Sequence, residues 1–330
     1  MYNQFFGLRK DPFNLTPDPE FLYLTPQHKE ALAGFTYAIL ARKGFVVLTG
    51  EAGTGKTTLL TRVLQHLPVD RVQSSVIVNP TLTPAEFLEA ALLDFGIREV
   101  PASKAQRIAI LQNLLWTGHR AGKISALVID EAHKLSLEVL EEIRLLGNFE
   151  SAEQKLLQIA LIGQSELDEL LNRDHLRQFK QRIALRASIP VLKGEEIGNY
   201  VRHRWRKAGG GEPPFSSDAL AGIGEVSKGI PRVINVLCDN ALMQAFGEGS
   251  ISVETRHVVT ACQDLRFPEP YTPQKAAPRI GAGAEATGGE VTLYPNSMRT
   301  LERYGMANAH PSVLSRLAGK LGFHQRTETA

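Results

Sequence analysis

Gly50-Glu51-Ala52-Gly53-Thr54-Gly55-Lys56-Thr57 satisfies the spacing G-x-x-x-x-G-K-[ST], and those residue types in that order can hold a phosphate chain. Glycines without Cβ let successive backbone N–H groups curl around an anion. Lys56 then reaches the β- and γ-phosphates, the Thr57 hydroxyl can ligate Mg²⁺, and the helix starting near Lys56 points its positive end at the charge. Thr58 continues that helix and completes the binding stretch. A second constellation is Asp130-Glu131, which ends the apolar run Ser125-Ala126-Leu127-Val128-Ile129. At the carboxyl end of a buried strand beside a phosphate loop, Asp130 can hold Mg²⁺ through water while Glu131 orients and polarises an attacking water. Alone, the pair would read as a helix N-cap with a favourable first-turn charge; the loop upstream is what makes the catalytic reading. His133 reads as a hydrogen-bonded side chain near the site.

Three further stretches carry polar chemistry. Gln164 follows Leu156-Leu157-Gln158-Ile159-Ala160-Leu161-Ile162-Gly163, so it either touches the γ-phosphate or the attacking water, or caps the helix opened by Ser165-Glu166-Leu167. Arg173, Arg177, Lys180, Arg182 and Arg186 form a basic run. A fixed guanidinium there can stabilise phosphoryl-transfer charge on a neighbouring subunit, and Arg182, beside the strand Ile183-Ala184-Leu185-Arg186, is the first choice; the alternative is a solvated helical face. In Gly229-Ile230-Pro231-Arg232 the proline opens a helix and leaves Arg232 in its first turn. A cation there opposes the helix dipole, which points to a phosphate partner.

These residues need a scaffold of strands and helices. Phe45-Val46-Val47-Leu48 feeds the loop, Leu59, Leu60, Val63 and Leu64 give the following helix its buried side, and Val72 to Asn79 reads as a second strand stopped by Pro80. Thr25-Pro26 and Thr83-Pro84 are N-cap signals for helices to about residues 42 and 95, and further helices cover about 104–120 and 136–149. Strands separated by helices predict a parallel sheet with right-handed crossovers. From Lys193 the pattern is helical only, with expected helices over 195–207, 216–226, 231–246 and 252–265. The expected organisation is an extended arm over 1–25, a core over 26–190, a small helical domain over 191–266 and a Pro/Gly-rich tail over 267–330 expected to be disordered, with a candidate amphipathic helix at 311–323. The aromatic and proline-rich arm either lines an adenine ring or only packs.

At 330 residues the chain is long enough for two modest domains with proper cores. A net charge of +2 leaves any nucleic-acid argument to local clusters. Cys238 and Cys262 lack metal-ligand spacing and read as small buried hydrophobes. The N-terminus has no basic region followed by an apolar run, and no stretch reaches about eighteen consecutive apolar residues. The expected location is the cytoplasm, with peripheral contact at the inner membrane through the tail.

Phe5-Phe6-Gly7-Leu8, Pro12-Phe13, Thr16-Pro17-Asp18-Pro19 and Phe21-Leu22-Tyr23-Leu24, followed by Gly44 through Glu51, carry a family resemblance. Over about residues 1–265 the chain resembles the AAA+ ATPases of the ExeA or GspA type, from the general secretion pathway. The resemblance implies an α/β P-loop NTPase core of three layers, with a five-stranded parallel sheet in the order 5-1-4-3-2 and a small all-α lid. It implies ATP and Mg²⁺ as cofactors, Walker A at Gly50 through Thr57, Walker B at Asp130 and Glu131, sensor 1 at Gln164, sensor 2 at Arg232, and an arginine finger at Arg182 acting in trans in a homo-oligomer. Members of this type commonly continue into a transmembrane segment and a peptidoglycan-binding domain, which this sequence does not show. The core is also similar to transposition ATPases such as TnsC and MuB.

The expected function is an ATP-hydrolysing, oligomeric assembly or regulatory factor of a secretion or envelope export system, with a protein of that system as partner. The alternative is a DNA-binding transposition ATPase, supported by Arg202, Arg204 and Arg206 and by the run from Arg173 to Arg186. A non-hydrolysing, ATP-gated scaffold is the third reading, and the second carboxylate, Glu131, argues against it.

Overall fold

The computed structural model describes residues 2–270, so most of the expected tail, including the candidate helix at 311–323, lies outside the described residues. The first part of the chain runs α1 (Tyr2–Phe5), α2 (Pro26–Leu40), β1 (Phe45–Gly50), α3 (Lys56–His66), β2 (Val72–Ile77), α4 (Pro84–Asp94), α5 (Lys104–Arg120) and β3 (Ile124–Ile129). It continues through α6 (Leu137–Leu146), β4 (Leu157–Ile162), α7 (Ser165–Leu171), α8 (Arg177–Lys180) and β5 (Ile183–Ile189). Four helices follow: α9 (Glu195–Lys207), α10 (Ser217–Ser227), α11 (Pro231–Gly247) and α12 (Thr255–Leu265). By packing, residues 16–191 form one compact unit, and residues 2–15 with 192–270 form another.

In the first unit all five strands are parallel in the order β2-β3-β4-β1-β5, the expected order read from the other edge. β1, β3 and β4 are buried along their whole length, which is why they read as unbroken apolar runs rather than alternating ones. Alternate residues of each strand enter opposite layers. Val47, Leu127, Ile129, Ile159 and Leu161 pack with Phe87 and Leu88 of α4, Leu111 and Leu115 of α5, and Ile143 of α6. Val46, Leu48, Val128, Ala160 and Ile162 pack with Phe35 and Ile39 of α2 and with Leu59, Leu60 and Val63 of α3. The Thr25 and Thr83 signals are realised: Thr25 accepts from the His28 N–H, and Thr83 forms a full capping box with Glu86.

In the helical unit, α12 starts three residues later than its pattern suggests. Val253 forms a parallel bridge with Phe215, and Glu254 then caps the helix. The stretch expected as a single arm over 1–25 divides between the units after Leu15. Its first half is held by groups whose partners lie far along the chain. Phe6 meets Trp205 edge-on at 5.9 Å, Phe13 meets Phe215 at 6.1 Å, and Tyr2 donates to Asp239. Arg204, which is buried, donates to the Pro12 carbonyl at 2.5 Å and the Asn14 carbonyl at 3.2 Å, and it also bonds the Tyr200 hydroxyl. Arg202 and Arg206 both pair with Glu212. The arginine cluster offered in support of DNA binding is therefore largely engaged within this unit.

Gly229 ties the unit together at its start. The Leu192 N–H donates to the Gly229 carbonyl at 2.9 Å, and a Cβ on Gly229, at φ +75°, would lie 1.9 Å from the Leu192 carbonyl oxygen. Neither backbone can give way cheaply. Gly229→Ala is expected to lower stability by about 1–3 kcal/mol, read as a lower urea midpoint by circular dichroism. Arg204→Ala removes the donor to the buried Pro12 carbonyl and to the Asn14 carbonyl, so residues 2–15 should become the first site of limited proteolysis.

Candidate active site

The phosphate loop grows out of β1 and closes on α3. Gly53 and Gly55 adopt positive φ, at 81° and 95°. Gly55, the N-cap of α3, supplies no side-chain bond to the first-turn N–H groups, and these have no intrahelical acceptor. That leaves donors converging on the loop, as an anion requires. Lys56 is buried, and its ammonium donates to the Gly50 and Glu51 carbonyls, both at 2.8 Å. Burial lowers its pKa, against the attraction of Glu131, Asp130, Glu51 and Glu166. Thr58 sits in the first turn of α3.

The Thr57 hydroxyl donates to Asp130 Oδ2 at 2.8 Å, and the Glu131 N–H donates to Asp130 Oδ1 at 2.9 Å. A hydroxyl and a carboxylate oxygen at hydrogen-bond distance are hard oxygen donors that suit Mg²⁺. Asp130 is 2% exposed, and burial holds its carboxyl above the usual range despite the two hydrogen bonds. Glu131 is partly exposed and takes a left-handed backbone, φ 53°, which costs a non-glycine residue energy and is concentrated at functional positions. Its Oε2 lies 3.5 Å from His133 Nε2 and 3.4 Å from Lys134 Nζ.

Gln164 occupies the N-cap position of α7 but makes no side-chain cap bond. Instead its backbone N–H donates to His133 Nδ1, and its side-chain amide lies beside His133 Nε2, both at 3.3 Å. Gly163 makes this approach feasible, since a Cβ there would come within 3.1 Å of the His133 backbone nitrogen.

Residues 39–171 match the model of the AAA domain. Over 254 residues, 76% of this chain, the sequence is 43% identical to general secretion pathway protein A of Aeromonas hydrophila. The chain belongs to the AAA+ proteins. It spans 46% of the length of that curated relative. Among solved structures, Cdc6p of Pyrobaculum aerophilum superposes with a TM-score of 0.57 at 18% identity, covering 75% of this chain and 70% of that one. The Aeropyrum pernix ORC1 protein in complex with DNA gives 0.57 at 19% identity, covering 78% and 69%. At such identities the likeness is one of fold.

This AAA+ core brings Lys56, Thr57, Asp130, Glu131 and Gln164 to the carboxyl ends of β1, β3 and β4. Arg182 lies elsewhere in the unit and donates to the Arg144 carbonyl at 2.8 Å, at the end of α6. Arg232 is exposed in the first turn of α11 and makes no side-chain hydrogen bond or ion pair among the described residues. Two connections were not legible in advance. One is the contact of His133 with Gln164. The other runs beneath the loop, where Asp168 accepts from the Thr49 hydroxyl at 2.7 Å and from Arg186 at 2.9 Å. The sequence offers no signal for either, because the partners are 31, 119 and 18 residues apart. Among the described residues no helix is long and apolar enough to cross a membrane.

The raised Asp130 pKa has a signed consequence. At acid pH both folded and unfolded chains hold this carboxyl protonated; as pH rises the unfolded chain ionises first, so stability falls until the raised pKa is passed. Asp130→Asn removes that loss. The nucleotide-free variant is expected to melt above wild type at about pH 7, with the gap closing near about pH 4, as read by differential scanning calorimetry.

Proposed function

We propose that this protein binds ATP with Mg²⁺ and hydrolyses it, acting as an oligomeric assembly or regulatory factor of a secretion or envelope export system. The observation that carries the reading is the Thr57–Asp130 hydrogen bond with Glu131 beside it. It joins the metal-binding hydroxyl of one motif to the carboxylate of the other. The partner assignment rests on the similarity to general secretion pathway protein A.

In this mechanism Lys56 leaves the Gly50 and Glu51 carbonyls for the β- and γ-phosphates, and the loop N–H groups hold the chain of phosphates. Thr57 and Asp130 hold the Mg²⁺, which when bound neutralises phosphate charge. Glu131 orients the attacking water and accepts its proton, and Gln164 fixes the terminal phosphate. Arg232, unpaired within its own unit, supplies a further cation to the phosphates. Arg182 acts on a neighbouring subunit, which requires it to leave the Arg144 carbonyl. Loss of the γ-phosphate releases these contacts, so hydrolysis works as a switch between arrangements of the oligomer. The protein acts from the cytoplasmic side, peripherally at the inner membrane.

Steady-state hydrolysis measured against protein concentration tests this. Turnover per chain should rise with concentration, and Glu131→Gln should bind ATP normally yet turn over about 10²-fold or more slower. Arg182→Ala should lose the concentration dependence. Turnover that appears only with duplex DNA, and fades with added salt, would replace the secretion reading with the transposition one.

A further inference from the structure

His133 sits where the two halves of the proposed hydrolytic site meet. Its Nδ1 accepts from the Gln164 backbone N–H, so the hydrogen of the neutral imidazole resides on Nε2. That single N–H has Glu131 Oε2 at 3.5 Å as one acceptor, and the Gln164 side-chain amide stands on its other side with Nε2 at 3.3 Å. Two N–H groups cannot bond each other, so the amide is assigned the opposite way round, with Oε1 toward His133 as the second acceptor. The imidazole is 12% exposed, so water competes poorly for the N–H. Lys134 approaches the same Glu131 oxygen at 3.4 Å, but it is 52% exposed and its hold is correspondingly weak. The His133 backbone is held close to β4, because its nitrogen lies where a Cβ on Gly163 would come within 3.1 Å of it.

We propose that His133 is a positioning residue that passes one N–H between Gln164 and Glu131. While the Gln164 amide accepts it, the Glu131 carboxylate is oriented only by the exposed Lys134. When a terminal phosphate draws the Gln164 side chain away, the Nε2–H turns to Glu131 Oε2 and fixes the carboxylate with its other oxygen toward water. Occupancy of the phosphate end of the site thereby sets the geometry of the base. The proposal rests on the ATPase reading above and adds to it a residue that touches neither phosphate nor metal.

The test begins without turnover. In protein carrying ¹⁵N-histidine, long-range ¹H–¹⁵N spectra, with His133 assigned by its loss in His133→Asn, should show the Nε2–H tautomer. Addition of Mg–ADP–beryllium fluoride should shift that resonance, and the shift should vanish in Gln164→Ala. An Nδ1–H tautomer, or a resonance indifferent to the analogue, would overturn the proposal. Kinetics separate the two donor positions. His133→Asn keeps an acceptor near Nδ1 but has no N–H for Glu131, so kcat should fall by about tenfold with KM for ATP unchanged. His133→Gln places an N–H near the Nε2 position and should restore most of that loss. Equal rates in wild type and His133→Asn, with Glu131→Gln inactive, sink the His133 proposal alone. Wild-type turnover in Glu131→Gln would sink the role given to Glu131 itself, and the tautomer measurement still decides whether His133 responds to Gln164.

Discussion

Thr57 and Asp130 stand 73 residues apart in the chain and 2.8 Å apart in the fold. The rest of the site depends on that contact. β4 lies between β1 and β3, pairing Leu48 with Ile162 and Val128 with Ala160, so the three strands end nearly level. A slip of one residue in either pairing would turn each inward side chain to the other face of the sheet. The registry is therefore fixed by two separate apolar layers, and the meeting of a hydroxyl and a carboxylate is a by-product of core packing that the proposed chemistry would exploit.

Electrostatics at this point oppose stability. Lys56 and Asp130 are both buried, and burial moves each toward its neutral form, the lysine downward and the carboxyl upward. The ammonium falls back on two backbone carbonyls, and the carboxylate on a hydroxyl and one N–H. Such partners satisfy hydrogen bonds without neutralising charge. In the proposed function a polyanion with a divalent cation would supply what each lacks, and part of its affinity would come from relief of this cost rather than from new contacts alone.

How much could be read from sequence followed from how local each cause is. The loop spacing, the apolar runs of β1, β3 and β4, and the Thr-Pro helix starts are signals contained within a few residues, whereas the strand order came only from the family resemblance carried by the N-terminal motifs and residues 44–51. Arg204 shows the opposite case. As one of three arginines at alternate positions on α9 it read as a cationic surface, yet it is buried beneath residues 12–14, and nothing near it in sequence announces those carbonyl acceptors. His133 read as a hydrogen-bonded side chain and is one, but its partner could not be named, since Gln164 lies at the end of a different strand. The split of the N-terminal stretch after Leu15 likewise depends on Trp205 and Phe215, far down the chain.

Within the described residues the chain passes between the two units twice, after Leu15 and before Leu192. Both attachment points are anchored on the helical side, one by Arg204 and the other by the Gly229–Leu192 pairing beside the start of α11. The pairing that fixes the chain as it re-enters the helical unit also fixes the turn just before Pro231, so the exposed cation of Arg232 projects from a held helix start.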